Sequence, residues 1–200
     1  MNARDPMSKY LPAIVTGLVA ALLSGGLMAF MLSSAGAETG LFPAWVGGFV
    51  GVFTAYIMAN LAGTRRGKAA TPEQKQAALD FRPEPGQALL IVFREGFVGK
   101  AAGMEIKLDD RLVAQLKSPR FTAISVAPGG HQLSMGFVGL AAKQNKPTVE
   151  GFIAAPGEVV AFRATMAMGA LKNRIEVERI DSHETLSLRL KPMIMIAPEI

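Results

Sequence analysis

The chain contains no cysteine. That excludes a disulfide framework, a thiol nucleophile and a thiolate metal site. Histidine is nearly absent too, with His131 and His183 the only two. They stand far apart in sequence, with no further ligand at the tight spacings that metal sites need. Charge is missing from a long stretch: between Tyr10 and Thr64 the only ionisable acid or base is Glu38. No Gly-rich phosphate loop is present either, because Gly96, Gly99 and Gly103 lack the Lys-Ser/Thr or the following helix that would use them. Neither a catalytic centre nor a cofactor site is expected from these residues.

The uncharged stretch divides into Leu11–Ser34 and Leu41–Gly63, joined by the small, polar segment 35–40. About 20 helical residues cross a hydrocarbon core, so each run is long enough. The expectation is a transmembrane hairpin: helix 10–34, an external loop 35–40 and helix 41–63. A cleaved signal peptide is the rival, with Ala35-Gly36-Ala37 as its cleavage site. The first run is longer than a signal core, and a second full span follows at once. Small residues recur every fourth position. Gly17, Ala21 and Gly25 form such a row on the first helix, and Gly47, Gly51 and Ala55 on the second. In lipid, small ridges permit the close backbone approach that drives helix association. The two rows therefore face each other or a second copy. Arg4 and Lys9 precede the hairpin, Arg65, Arg66 and Lys68 follow it, and the loop has no basic residue. The positive-inside rule puts both ends in the cytoplasm. Tyr10 and Trp45 suit interfacial anchoring.

Of the 21 Lys and Arg, 19 follow Thr64, as do 14 of the 16 Asp and Glu. The resulting excess of about +5 suits a surface near anionic headgroups and is too scattered for nucleic acid. Residues 64–86 read as a basic linker with a short helix started by Thr71-Pro72-Glu73-Gln74. Residues 87–191 read as an antiparallel β-sandwich of about seven or eight strands, with turn signals every 8–12 residues. Its first strand, Ala88–Phe93, is apolar throughout and suits burial on both faces. Asp109-Asp110 reads as a hairpin turn in which Asp tolerates unusual φ. Pro128, Gly129 and Gly130 form a turn that His131 fixes by a side-chain hydrogen bond. Residues 139–147 read as a loop. Arg94 and Lys100 are expected to reach headgroups. The apolar tail 192–200 is expected to dock on its own sheet or on a neighbour.

Four segments carry a resemblance: ALLIVFRE, EIKLDDRLVAQL, VAPGGHQL and AAPGEVVAFRA. Together they resemble a family of uncharacterised bacterial β-sandwich domains with a Pro-Gly-x-His turn, here Pro128, Gly129 and His131. Segment 10–66 is similar to a family of bacterial two-helix membrane proteins of unknown role. These resemblances bring no activity. The resembled sandwich family is often exported, whereas the charges around the hairpin place this domain on the cytoplasmic side of a bacterial inner membrane. The resulting expectation is a non-enzymatic binding or assembly module, an accessory subunit of a membrane complex. Its partners would be the bilayer and either other subunits or further copies. The alternative is an oligomeric two-helix transport or channel component with a regulatory β-domain.

Overall fold

The computed structural model describes residues 8–168 and 173–199. The chain forms two compact units, dividing after Gly63.

The first unit is helical. A 3-10 turn over Ser8–Tyr10 leads into α1, Leu11–Ser34, and α2 covers Phe42–Leu61. Each helix carries proline in its first turn, at Pro12 and Pro43, where an unbonded N–H would be wasted anyway. Both helices are long and apolar enough to cross a membrane. Several of their polar side chains bond the helix backbone: Thr16 Oγ1 donates to the Pro12 carbonyl at 2.8 Å and Ser24 Oγ to that of Ala20 at 2.7 Å. Asn60 Nδ2 donates in the same way to Tyr56.

The second unit begins at Thr64, well before Gln87. Helix α3, Pro72–Leu79, starts at the expected capping box, where Thr71 and Gln74 bond each other's backbone N–H. Then come β1 (Ala88–Arg94), β2 (Met104–Leu108), β3 (Arg111–Leu116), β4 (Arg120–Val126) and β5 (Gly129–Phe137). Helix α4 (Ala141–Gln144) and β6 (Asn145–Lys146) follow within the segment read as a loop. After them come β7 (Thr148–Ala154), β8 (Val159–Ala167), β9 (Asn173–Arg179), α5 (His183–Leu190) and β10 (Ile194–Met195).

Among the described residues, ten strands form two sheets, ordered β10-β4-β1-β8-β9-β6 and β3-β2-β5-β7. The four-stranded sheet is antiparallel, as expected, but the six-stranded one is mixed, which corrects the all-antiparallel reading. β1 runs parallel to β8, β10 to β4 and β6 to β9. The reason is non-local. After β1 and β4 pair, β5 and β7 belong to the four-stranded sheet. The chain then returns at the end where β1 began, and β8 takes the free edge of β1 in the same direction. Turn spacing reports hairpins between sequence neighbours and carries no information about such a return.

β1 is buried along its whole length, as its unbroken apolar run requires of a strand covered on both faces. On one face Leu89, Ile91 and Phe93 meet Ala78 of α3, Leu186 and Leu190 of α5, and Met193 and Met195. Its alternate residues point the other way, towards the four-stranded sheet. The tail docks within its own chain. β10 pairs with β4, and Ala69 bridges Ile196. Segment 68–70, the tail and β4 therefore lie side by side.

Candidate functional site

Three places hold the residues that sequence singled out. The first is the seam between α1 and α2. A Cβ built on Gly17 would lie 2.7 Å from both the Gly51 carbonyl oxygen and Ala55 Cβ. One on Gly47 would lie 2.6 Å from the Ala21 carbonyl oxygen, and one on Gly25 3.0 Å from that of Pro43. The small rows thus interlock within one chain, backbone against backbone. Of the flanking charges, Arg4 lies outside the described residues. Lys9 Nζ sits 5.0 Å from the centre of the Tyr10 ring. Arg65, Arg66 and Lys68 are exposed at the start of the sheet unit.

The second place is the turn at Pro128, Gly129, Gly130 and His131. Gly129 adopts φ +135°, a conformation that side-chain-bearing residues resist. His131 Nδ1 lies 2.7 Å from Asp109 Oδ2, and Nε2 lies 2.7 Å from the Ala127 carbonyl oxygen. Asp109 Oδ1 accepts from the Gln132 N–H at 2.9 Å. Asp109 and Asp110 have φ +48° and +63°, so this Asp-Asp turn presents one carboxylate to the neighbouring strand. Sequence placed Asp109 and His131 in separate turns. The hydrogen bonding of β2 to β5 brings them together.

Two acceptors on two ring nitrogens require both N–H groups, which is the imidazolium form. The Ala127 carbonyl and then Asp109 accordingly raise the His131 pKa, against a smaller lowering by burial. The Gln132 N–H and then His131 lower that of Asp109. The histidine contribution is complete below its unfolded pKa of about 6.5 and is lost as pH rises through the raised folded value. The aspartate contribution is complete above about 3.9 and is lost as pH falls through the depressed value. Melting of the sheet unit, followed by its far-ultraviolet strand signal, should therefore weaken by on the order of 1 kcal/mol as pH climbs past neutrality. His131→Asn should abolish that alkaline limb, and a limb that survives would reassign it.

The third place was not visible in sequence. It is a groove of about 860 Å³ at the open side of the sandwich. His131 and Phe152 face it from the four-stranded sheet, Phe162 and Arg179 from the six-stranded one, with Glu150 at the rim. The Phe152 and Phe162 rings meet edge to face with centres 5.5 Å apart, and His131 lies 5.5 Å from Phe152. Arg179 is held by Glu158 at 2.7 Å and Asp181 at 3.0 Å. β7 is an edge strand beside this groove, and it exposes Val149 and Ile153. No family model matches the chain. A stretch of 66 residues is 30% identical to an uncharacterized protein of Haemophilus influenzae. The match covers 32% of this chain and 39% of that protein, so the chain spans about two-fifths of that relative's length.

The polar groups of the groove are already engaged. Its imidazole is already committed at both nitrogens, and its guanidinium is neutralised by two carboxylates. Among the described residues, no group of three or more His, Asp and Glu is placed to hold a metal ion. His183 is exposed and stacks on Phe81 with ring centres 5.3 Å apart.

Arg94 departs from expectation. It is fully buried and does not reach outward. Its guanidinium donates to the carbonyls of Gly99 at 2.6 Å, Ala102 at 2.5 Å and Leu116 at 3.0 Å. It also lies over the Phe137 ring at 4.8 Å. Burial lowers its pKa to about 10, which leaves it cationic at neutral pH. Three carbonyls of two separate segments converge on one planar fork, a geometry that arginine suits and lysine does not. Arg94 fastens the loop after β1. No local signal could have announced this, since Arg94 reads as the polar end of a strand.

Proposed function

We propose that the protein is a membrane-anchored, non-enzymatic assembly module, an accessory subunit of a bacterial inner-membrane complex. In this reading α1 and α2 span the bilayer, and the sheet unit stands on the cytoplasmic side. The carrying observation is the outward face of the hairpin. Leu22, Leu23, Phe30, Trp45 and Phe49 are at least 70% exposed, an apolar surface that water does not tolerate at this size and that lipid covers. The charge pattern around the hairpin supports the orientation. The groove and the exposed edge of β7 support a polypeptide partner, because a strand edge offers unpaired backbone groups to an incoming segment.

The alternative is an oligomeric transport or channel component. It draws support from the small residues that also line the hairpin's outer side, Gly26 and Gly48. Weighing against it is the absence of Asp, Glu, His, Lys and Arg from both helices, since intramembrane charges usually mark ion paths.

A photo-crosslinking residue at Ile153, with a second at the outward-facing Lys107 as control, tests the reading in intact cells. The expected product is one adduct of defined mass from Ile153 alone, with a different polypeptide and at fixed stoichiometry after detergent extraction. Recovery of a closed ring of identical chains would favour the alternative. Protease added to spheroplasts should spare residues 70–200, and cleavage there would refute the orientation.

A further inference from the structure

The loops of the sheet unit are sorted by charge. One end of the sandwich gathers segments 96–103, 117–119 and 138–147. Arg94 ties the first to Leu116, the Ser118 N–H donates to the Lys100 carbonyl, and the Val138 N–H to that of Gly103. Every charged residue in these three segments is a lysine: Lys100, Lys117, Lys143 and Lys146. Glu95, at the root of the first, is neutralised by Arg163 and Arg189. At the opposite end, the turns 109–110, 127–128, 155–158 and 180–182 carry Asp109, Asp110, Glu158 and Asp181, and the strand entries beside them add Arg82, Glu84 and Arg111, so that end has no basic excess. Arg179, the strand end there, is paired with two of the four turn acids.

The basic end also bears an apolar tip. Phe97 is 80% exposed and Val98 36%, on a loop that is held firmly from beneath. Arg94 grips Gly99 and Ala102, and Ser118 Oγ donates to the Gly96 carbonyl at 2.7 Å. An exposed phenylalanine on a fastened loop gains nothing from its own fold. Lys100 Nζ lies 5.0 Å from the centre of the Phe97 ring, an aromatic–lysine pair of the kind that suits the boundary between headgroups and acyl chains.

The basic end carries the covalent connection to α2. The Gly103 N–H donates to Thr64 Oγ1 at 2.9 Å, and Thr64 follows the last residue of α2, Leu61, by three positions. Three residues span at most about 10 Å, so the tether between this end and α2 is short.

We propose that this end of the sheet unit docks on anionic lipid headgroups of the leaflet where α2 ends. Phe97 and Val98 enter the interface, and Lys100, Lys117, Lys143 and Lys146 face the phosphates. The acidic end points away, and the groove beside β7 is left open to the solvent. The proposal rests on the reading of α1 and α2 as membrane spans.

Single cysteines can be introduced cleanly into a chain that has none. Phe97→Cys, Pro156→Cys and Phe49→Cys, each labelled with an environment-sensitive fluorophore, are reconstituted as full-length protein in vesicles. The vesicles contain phosphatidylglycerol and quencher lipids spin-labelled both near the headgroup and midway along the acyl chain. The expected result is strong quenching at positions 49 and 97 and none at 156, which marks the acidic end. In pure phosphatidylcholine, or with Lys100, Lys143 and Lys146 changed to Gln, the docked-to-free ratio at position 97 should fall by roughly fivefold per lysine lost. Quenching at 49 with position 97 behaving like 156 would overturn the docking and leave the spans standing. No quenching at 49 would overturn both. Equal quenching at 97 in neutral and anionic vesicles would overturn the role of the lysines. Phe97 is exposed, so its replacement leaves the fold intact.

Discussion

Deletion of residues 192–200 is expected to unfold the sheet unit. Met193, Met195 and Ile196 are 5%, 6% and 1% exposed, and the two methionines belong to the cluster built on Phe93, Phe121, Leu186 and Leu190. Truncating a buried Met or Ile side chain costs about 2–5 kcal/mol. Three such losses, about 6–15 kcal/mol, match the whole stability of an ordinary domain. Backbone bonds go as well: the Ile196 N–H donates to Phe121, the Ala70 N–H to Met195 and the Glu199 N–H to Val113. Thr122 Oγ1, fully buried, would lose its acceptor at Ile196. The truncated chain should lack a cooperative thermal transition in its strand signal and should be cut rapidly by protease. Ile196→Ala should fall between, at about 2–4 kcal/mol. Ile194→Ser, at a half-exposed position, should be nearly neutral. A truncated chain that melts at the full-length temperature would show that the tail adds nothing.

Gly51→Leu is expected to force the hairpin apart. A Cβ there would stand 2.6 Å from Ala21 Cβ and 2.8 Å from the Gly17 carbonyl oxygen. Neither obstacle is the end of a flexible side chain, so the helices themselves must move. Overpacking of this kind costs about 1–3 kcal/mol and more where backbone must yield. In lipid no gain in apolar burial offsets it, because the side chain is as well solvated outside the seam as within. Gly26→Leu and Gly48→Leu provide the contrast, since nothing lies within 4 Å of a Cβ at either. Thermal unfolding of the full chain in detergent should separate Gly51 and Gly47 from these two. Equal behaviour of all four would mean that the seam does not hold the helices together.

The legible parts of this structure are those written locally. The two uncharged runs became α1 and α2, and Thr71 and Gln74 formed their capping box. Eight of the ten strands fall within a few residues of their apolar or alternating segments. The illegible parts depend on partners distant in sequence. β8 lies beside β1 because of where the chain returns, not because of its own residues. β10 has two residues and would be no strand without β4 to receive it. Asp109 and His131 each looked like a turn residue, and only the register of β2 against β5 joins them. Arg94 looked like a surface base, and its burial follows from where two other segments aim their carbonyls. The small rows announced a close contact but not its partner, and the structure places that contact within the chain.

One arrangement governs how the molecule can be made. Ala70 donates to Met195 and Ala197 to Lys68, so the stretch leaving the hairpin is sealed by residues synthesised long after it. Under the proposed reading, the hairpin can enter a bilayer before those residues exist. The head must wait until β10 clears the exit tunnel, holding the apolar faces of β1 and β4 uncovered meanwhile. Such a chain depends on prompt completion. Stalled products ending before Met193 should be the forms that quality-control proteases find first.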